Sequence, residues 1–241
     1  METQDVLPLT TTTDEQRRAA DIAVLPIGSF EQHGPHLPLC TDTVIAGIVT
    51  NAVTAAHPVL RLPPVTISCS HEHEAWPGTV SIAATTLAAI VTDVASSLRR
   101  SGVHTLVLIN AHGGNYGLAN VVQQANAEGH RTALFPGKAA WRRAHAAAGI
   151  ETPSEVDMHA GEVETSLLLH AHPELVRPGY ESADHLTGDR EHLLTWGLAA
   201  YTDSGVVGRP SAASADKGRA LLDSLVESFT DLLAALADGP S

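Results

Sequence analysis

The sequence predicts an α/β fold on a mainly parallel sheet covered by helices on both faces, and three observations carry that expectation. Short apolar or β-branched runs alternate with segments of helical periodicity along most of the chain, as parallel strands joined by crossover helices require. Apolar residues make up 44% of the composition but aromatics only 4%, so the core must be assembled from Ala, Val, Leu and Ile. The length of 241 residues allows one core to grow without dividing. A single domain is therefore expected over residues 21–241, behind a flexible lead-in at 1–20 that contains a run of four threonines.

The elements follow in order. Residues 21–28, DIAVLPIG, form a short apolar run ending at a glycine and read as a buried strand. Residues 42–57 then carry apolar positions at helical spacing, with Asp42 where an N-cap would stand. A second strand is expected at 64–70, PVTISCS, followed by a WPGT turn at 76–79. The next helix runs from 85 or 86 to 100; Arg99 and Arg100 fall in its last turn, where cations suit the helix dipole, and Gly102 follows. Residues 103–110, VHTLVLIN, are the strongest strand signal and lead directly into AHGGN. A helix at 116–128, a strand at 131–136 and a helix at 137–149 repeat the pattern. Residues 159–175 begin polar and turn apolar, as a helix does when its first turn faces a site. An irregular excursion over 178–210 and a long helix at 214–237 complete the chain.

Charge and cysteine content narrow the partners. With 27 acidic against 14 basic residues the formal charge is -13, which repels a phosphate backbone, so no nucleic acid partner is expected. Cys40 and Cys69 are the two cysteines. They are too few for a disulfide framework and are not in a Cys-x-x-Cys spacing, so a cytoplasmic location is expected. No stretch is long and apolar enough to span a bilayer. Histidine stands out at 14 residues, several of them beside carboxylates.

GSFEQHGPHLPLCTD, residues 28–42, concentrates such side chains in a stretch too rich in proline to be a helix. In extended backbone Glu31 and His33 share a face at about 6.5–7 Å between Cα atoms. That separation suits two ions about 3.5–4 Å apart better than one. Asp42 returns after the GPHLPL loop and could bridge, having two oxygens. His112 arrives from another strand end, where Gly113 and Gly114 allow close backbone approach. His159 and Glu162, three apart on the expected helix, face the same way. Each pair alone is an ordinary loop or exposed helical pair; their convergence is what points to metal. His36 is expected to support a ligand, and Cys40 is too soft for a site of carboxylates and imidazoles. Glu72, His73 and Trp76 of SHEHEAWPGT, with the Gly113, Gly114 and Asn115 loop, are expected to contact substrate.

Four ordered stretches, PIGSFEQHGPHLPLCTDT, NAHGGN, HAGEVETS and GVVGRPSAASADKGRAL, resemble the creatininase family over about residues 22–238. The resemblance implies a three-layer α/β/α sandwich, a pair of divalent ions (Zn first, Mn or Fe as alternatives), C–N bond hydrolysis and a homo-oligomer, often a hexamer. By position it implies Glu31, Asp42 and His112 as ligands of one ion, His33 and a bridging Asp42 as ligands of the other, and His159 as the catalytic histidine. Creatininase itself has a glutamate two residues after the NAHGGN histidine, where this chain has Gly114. Glu162 of HAGE is therefore the expected final ligand, or alternatively a general base. ETPSEVDM, before His159, lacks the tryptophans that hold creatinine. The chain thus resembles the broader branch that includes formamidopyrimidine-nucleotide deformylases and the mycofactocin-precursor peptidase. The expectation is a metal-dependent amidohydrolase that attacks a cyclic amide or formamide of a small molecule with metal-bridged hydroxide. A non-catalytic metal-binding scaffold is the rival from another class, and a filled ligand set argues against it. Phosphoryl transfer is disfavoured, because HGGN lacks the Lys-Ser/Thr of a P-loop.

Overall fold

The structure is a computed structural model that describes residues 7–238. The described chain divides into two compact units: residues up to Glu31 with Leu39–Phe135, and Gln32–Pro38 with the residues from Pro136 onward.

The first unit is built on a parallel sheet. Strands β1 (Ile22–Ile27), β2 (Leu60–Arg61), β3 (Thr105–Asn110) and β4 (Arg131–Phe135) lie in the order β2-β1-β3-β4. Every pairing is parallel, with Ile27 opposite Asn110 at the carboxyl end of the central pair. The α/β class expected from alternation holds. Helices α1 (Thr12–Arg18), α2 (Thr41–Ala56), α3 (Ala84–Arg100) and α4 (Leu118–Ala127) belong to the same unit. Ala23, Leu25, Ile27, Leu106 and Leu108 cluster with Leu87, Val91 and Leu98 of α3. The two-residue strand period sends alternate side chains to opposite faces, so Val24, Val107 and Ile109 point away from that cluster and are as fully buried. Burial on both faces explains why these strands read as continuous apolar runs.

Two local expectations change. The strand expected at 64–70 is absent; pairing with β1 occurs at Leu60–Arg61 and resumes only as a bridge between Val65 and Ile27. Pro63 and Pro64 have no N–H to give a ladder, and the pairing around them is limited to Leu62 N–H to the Val24 carbonyl (3.0 Å), Val65 N–H to the Pro26 carbonyl (2.9 Å) and Gly28 N–H to the Val65 carbonyl (3.0 Å). The lead-in carries α1, whose N-cap Thr11 forms a capping box with Asp14.

The second unit is helical. Helices α5 (Lys138–Ala148) and α6 (Glu162–Ala171) pack on α8 (Ala215–Ala237), and the short α7 (Leu193–Trp196) lies in the irregular excursion. Leu221, Leu225 and Phe229 of α8 and Leu168 of α6 are fully buried. The crossing of α6 and α8 is close because Gly218 has no side chain: a Cβ there would sit 2.0 Å from the Ser166 carbonyl oxygen. α6 starts at Glu162, not at 159. His159 precedes it in extended backbone paired with Val207, each donating its N–H to the other's carbonyl at 2.9 Å.

Candidate metal centre

In the first unit, Glu31, Asp42 and His112 each place a ligand atom within 4.8 Å of the others, and all three are buried. Glu31 follows β1, Asp42 lies in the first turn of α2 and His112 follows β3, so two of the three stand just beyond carboxyl ends of parallel strands, where open α/β sheets form their sites. His112 Nδ1 lies 2.9 Å from Asp42 Oδ2 and 3.2 Å from Glu31 Oε1. Its other nitrogen, Nε2, sits 2.7 Å from the Cys69 carbonyl. A carbonyl only accepts, so Nε2 carries the hydrogen and Nδ1 is the atom directed at the two carboxylates.

Asp42 is not the cap of α2. Cys40 occupies the N-cap position without a side-chain hydrogen bond, and the Asp42 carboxylate instead accepts from Ser29 Oγ at 2.7 Å. Burial disfavours charge on His112, but the adjoining Asp42 and Glu31 outweigh it and hold the imidazole pKa well above its usual value. For Glu31, burial and Asp42 push the pKa up, and His112 with His73 bring it net below the usual range. Both shifts reflect the close approach of one imidazole to two buried carboxylates. Two hard oxygen donors and one imidazole fit Zn, Mn or Fe(II) better than a soft ion.

The expected substrate residues divide by environment. His73 is 1% exposed, with Nε2 3.3 Å from Glu31 Oε1, so it packs against a candidate ligand. Glu72 Oε1 is 4.0 Å from His112 Nε2, and burial raises its pKa. Trp76 is half-buried, its ring 6.4 Å from that of His73. Asn115 is used structurally: Oδ1 accepts from Cys69 N–H at 3.2 Å and Nδ2 donates to Asn110 Oδ1 at 2.9 Å. A Cβ on Gly114 would stand 2.1 Å from Glu72 Oε1 and 2.4 Å from His112 Nε2, whereas one on Gly113 would meet nothing within 4 Å. Glycine is thus required at only one of the two positions.

The second unit brings His33 and His159 together, with ring centroids 4.1 Å apart. His159 Nε2 donates to the Gln32 carbonyl, and the Gln32 amide is itself fixed by Gly34 N–H at 2.9 Å and Gly205 O at 3.2 Å. Glu162 was the expected final ligand, yet its carboxylate is already committed. It accepts from Lys217 Nζ at 2.7 Å, Thr152 N–H at 2.8 Å, Thr152 Oγ1 at 2.5 Å and Glu151 N–H at 3.1 Å. Burial raises the Glu162 pKa, but these donors bring it net below the usual range. The carboxylate beside His33 belongs to Glu164, whose Oε2 lies 3.9 Å from His33 Nε2 and accepts from Ala160 N–H at 2.6 Å. Sequence reasoning missed Glu164 because it placed His159 and Glu162 on one helix. The signal was HAGEVE itself, which offers two carboxylates two residues apart. Asp157 completes the turn by accepting from Glu162 N–H (2.7 Å) and Val163 N–H (3.0 Å), and Ala160 at φ 52° is held in the left-handed region.

Comparison with known proteins adds independent findings. A family model described as creatinine amidohydrolase matches residues 9–233. The mycofactocin precursor peptide peptidase of Mycobacterium ulcerans (strain Agy99) is 36% identical over 230 residues, covering 90% of this chain and 86% of the relative. The creatinine amidohydrolase of Pseudomonas putida is 26% identical over 230 residues, covering 88% of each chain. A solved structure named "Creatininase Mn" superposes with a TM-score of 0.77 at 23% identity, covering 98% of this chain and 99% of that one.

Proposed function

We propose a function from one premise: the chain belongs to the creatininase family. It is a hydrolase acting on C–N bonds, and we assign it a divalent-metal mechanism and a peptide substrate. The observation that carries the metal assignment is the buried Glu31, Asp42 and His112 group, whose ligand atoms lie within 4.8 Å of one another. A second ion is assigned to His33 and Glu164, with Zn favoured and Mn or Fe as alternatives. When bound, such ions lower the pKa of water from 15.7 towards about 7 and stabilise the oxyanion of an attacked amide.

The chain's own residues do the rest. Ser29 and the Cys69 carbonyl fix Asp42 and His112, and ligands held this way need little reorganisation when metal enters. His159 delivers a proton to the departing nitrogen, a role that suits an imidazole. With Nε2 held by Gln32, Nδ1 is the nitrogen that exchanges it. Glu162 acts as an anchor for this segment, neither ligand nor base. Substrate contacts are assigned to Glu72, Trp76 and the open Gly113 position, while His73, Gly114 and Asn115 shape the wall behind them.

The peptide assignment rests on the relatives: identity to the mycofactocin precursor peptide peptidase is 36%, against 26% to creatinine amidohydrolase over the same length. A homo-oligomer, with a hexamer favoured, completes the proposal. Metal analysis of purified protein together with a panel of a mycofactocin-type precursor peptide, creatinine and a formamidopyrimidine tests it. Peptide cleavage that disappears on chelation and returns with Zn or Mn is the expected result. Turnover of creatinine or formamidopyrimidine alone would overturn the peptide assignment, and a metal-loaded but inert protein would leave the scaffold reading standing.

A further inference from the structure

Three carboxylates lie within 4.0 Å of the ring nitrogens of His112, and they are not equivalent. Glu31 and Asp42 face Nδ1 and belong to the candidate metal group. Glu72 stands on the other side of the ring, at Nε2, whose hydrogen already goes to the Cys69 carbonyl. The Glu72 side chain is 10% exposed, and among the described residues no lysine or arginine lies within ion-pair distance of it. Its carboxylate meets its own backbone N–H, and burial raises its pKa, where a resident cation would lower it. The buried Glu162, by contrast, has Lys217. A buried carboxylate without a counter-charge is costly. Oε1 reaches this place because residue 114 is glycine, and a Cβ there would stand 2.1 Å from it. The adjoining Gly113 is exposed and a Cβ on it would meet nothing within 4 Å, so a ligand can approach from that side.

We propose that Glu72 forms the amine-side subsite of the reaction, accepting first the N–H of the scissile amide and then the ammonium of the departing fragment. The inference rests on the C–N hydrolase and peptide readings given above. Distance selects the leaving nitrogen over a charged side chain of the substrate. The Glu72 carboxylate is one imidazole ring away from the atom directed at the candidate metal group, whereas a lysine or arginine carries its charge several bonds from the backbone. In the hydrolysis the water oxygen bonds to the carbonyl carbon and the electron pair of the C–N bond leaves with nitrogen. Nitrogen takes up both protons of the water, one as the bond breaks and one from the new acid, so amide and water become carboxylate and ammonium. The contact to Glu72 thus changes from a neutral N–H donor to a charged one, which is the stronger kind. Stabilisation that grows along the reaction raises kcat instead of lowering KM.

Calorimetric titration of glycinamide, whose ammonium beside an amide mimics the departing fragment, into the metal-loaded protein tests the assignment. N-acetylglycinamide, which lacks the charge, is titrated in parallel, and both are repeated on Glu72→Gln and Glu72→Asp. The parent should bind glycinamide about tenfold or more tightly than the acetylated probe. Glu72→Gln, folded by circular dichroism and with full metal content, should lose that preference, and Glu72→Asp, which keeps the charge, should recover part of it. On the precursor peptide Glu72→Gln should lower kcat about tenfold or more with KM little changed. No glycinamide binding by the parent, or equal binding of the two probes, overturns the proposal. So does glycinamide binding that persists in the folded, metal-loaded Glu72→Gln, since the amine would then sit on the metal. A Glu72-dependent preference in a protein that cleaves no peptide upholds the subsite and removes the peptide reading, whereas peptide cleavage with a Glu72-independent preference does the reverse.

Discussion

His112 shows how a side chain acquires its role. One ring nitrogen is committed to a backbone carbonyl, so the other faces Glu31 and Asp42 by default. His112→Ala should lose one bound ion per chain and all peptide cleavage, measured by elemental analysis and product assay; full metal content in the folded variant would remove His112 from the ligand set. The two carboxylates of HAGEVE separate in the same way. Glu164→Gln should lower metal content and cut kcat by about 100-fold or more, whereas Glu162→Gln should keep its metal and chiefly lose stability. The opposite pattern would restore Glu162 as a ligand. Adjacent glycines give a third contrast. Gly114→Ala must displace Glu72 or His112 and should abolish activity, while Gly113→Ala should fold and retain metal.

At the scale of elements, the segment carrying His159 is braced from a distance. Val207 pairs with it, Ser214 N–H donates to Ser166 Oγ at 3.1 Å, and Lys217 of α8 holds Glu162 at the start of α6. Lys217→Met leaves a buried carboxylate short of its cation and should cost about 3 kcal/mol, read as a shift in urea midpoint. Glu162 has a folded pKa below its unfolded value, so its contribution is present above the unfolded pKa, about 4.3. That contribution is lost as pH falls through the folded value. Lys217→Met removes the first of the causes that lower this pKa, so its stability should change less than the parent's on acidification below about pH 5. Equal acid sensitivity would show that the pair does not contribute. The elements themselves were legible where local pattern suffices. β1, β3 and β4 announce themselves by apolar runs, and α3, α4 and α5 by periodicity. The strand expected at 64–70 failed because two prolines withhold the donors a ladder needs, and the helix expected from 159 failed because His159 pairs with a partner 48 residues away.

For the whole molecule, the proposed metal would couple binding to folding, because the fold brings together the Glu31 and Asp42 carboxylates, which repel each other there until a cation neutralises them. Metal at about 100 times its Kd adds about 2.7 kcal/mol, equivalent to roughly 5–11 °C at about 2–4 °C per kcal/mol for a chain of this size. Chelation should lower Tm by that amount and restored Zn or Mn should reverse it. An unchanged Tm would separate the metal group from stability. Among the described residues, no helix is long and apolar enough to cross a membrane. The sequence by itself determined the parallel sheet and brought forward Glu31, Asp42 and His112, which the structure places within 4.8 Å of one another, because strand runs are local patterns and parallel strands deliver their carboxyl ends to one side. Only the tertiary structure decided which acidic residue of HAGEVE is an anchor and which stands beside His33. A carboxylate's role depends on the donors around it, and the lysine that claims Glu162 lies 55 residues further along the chain.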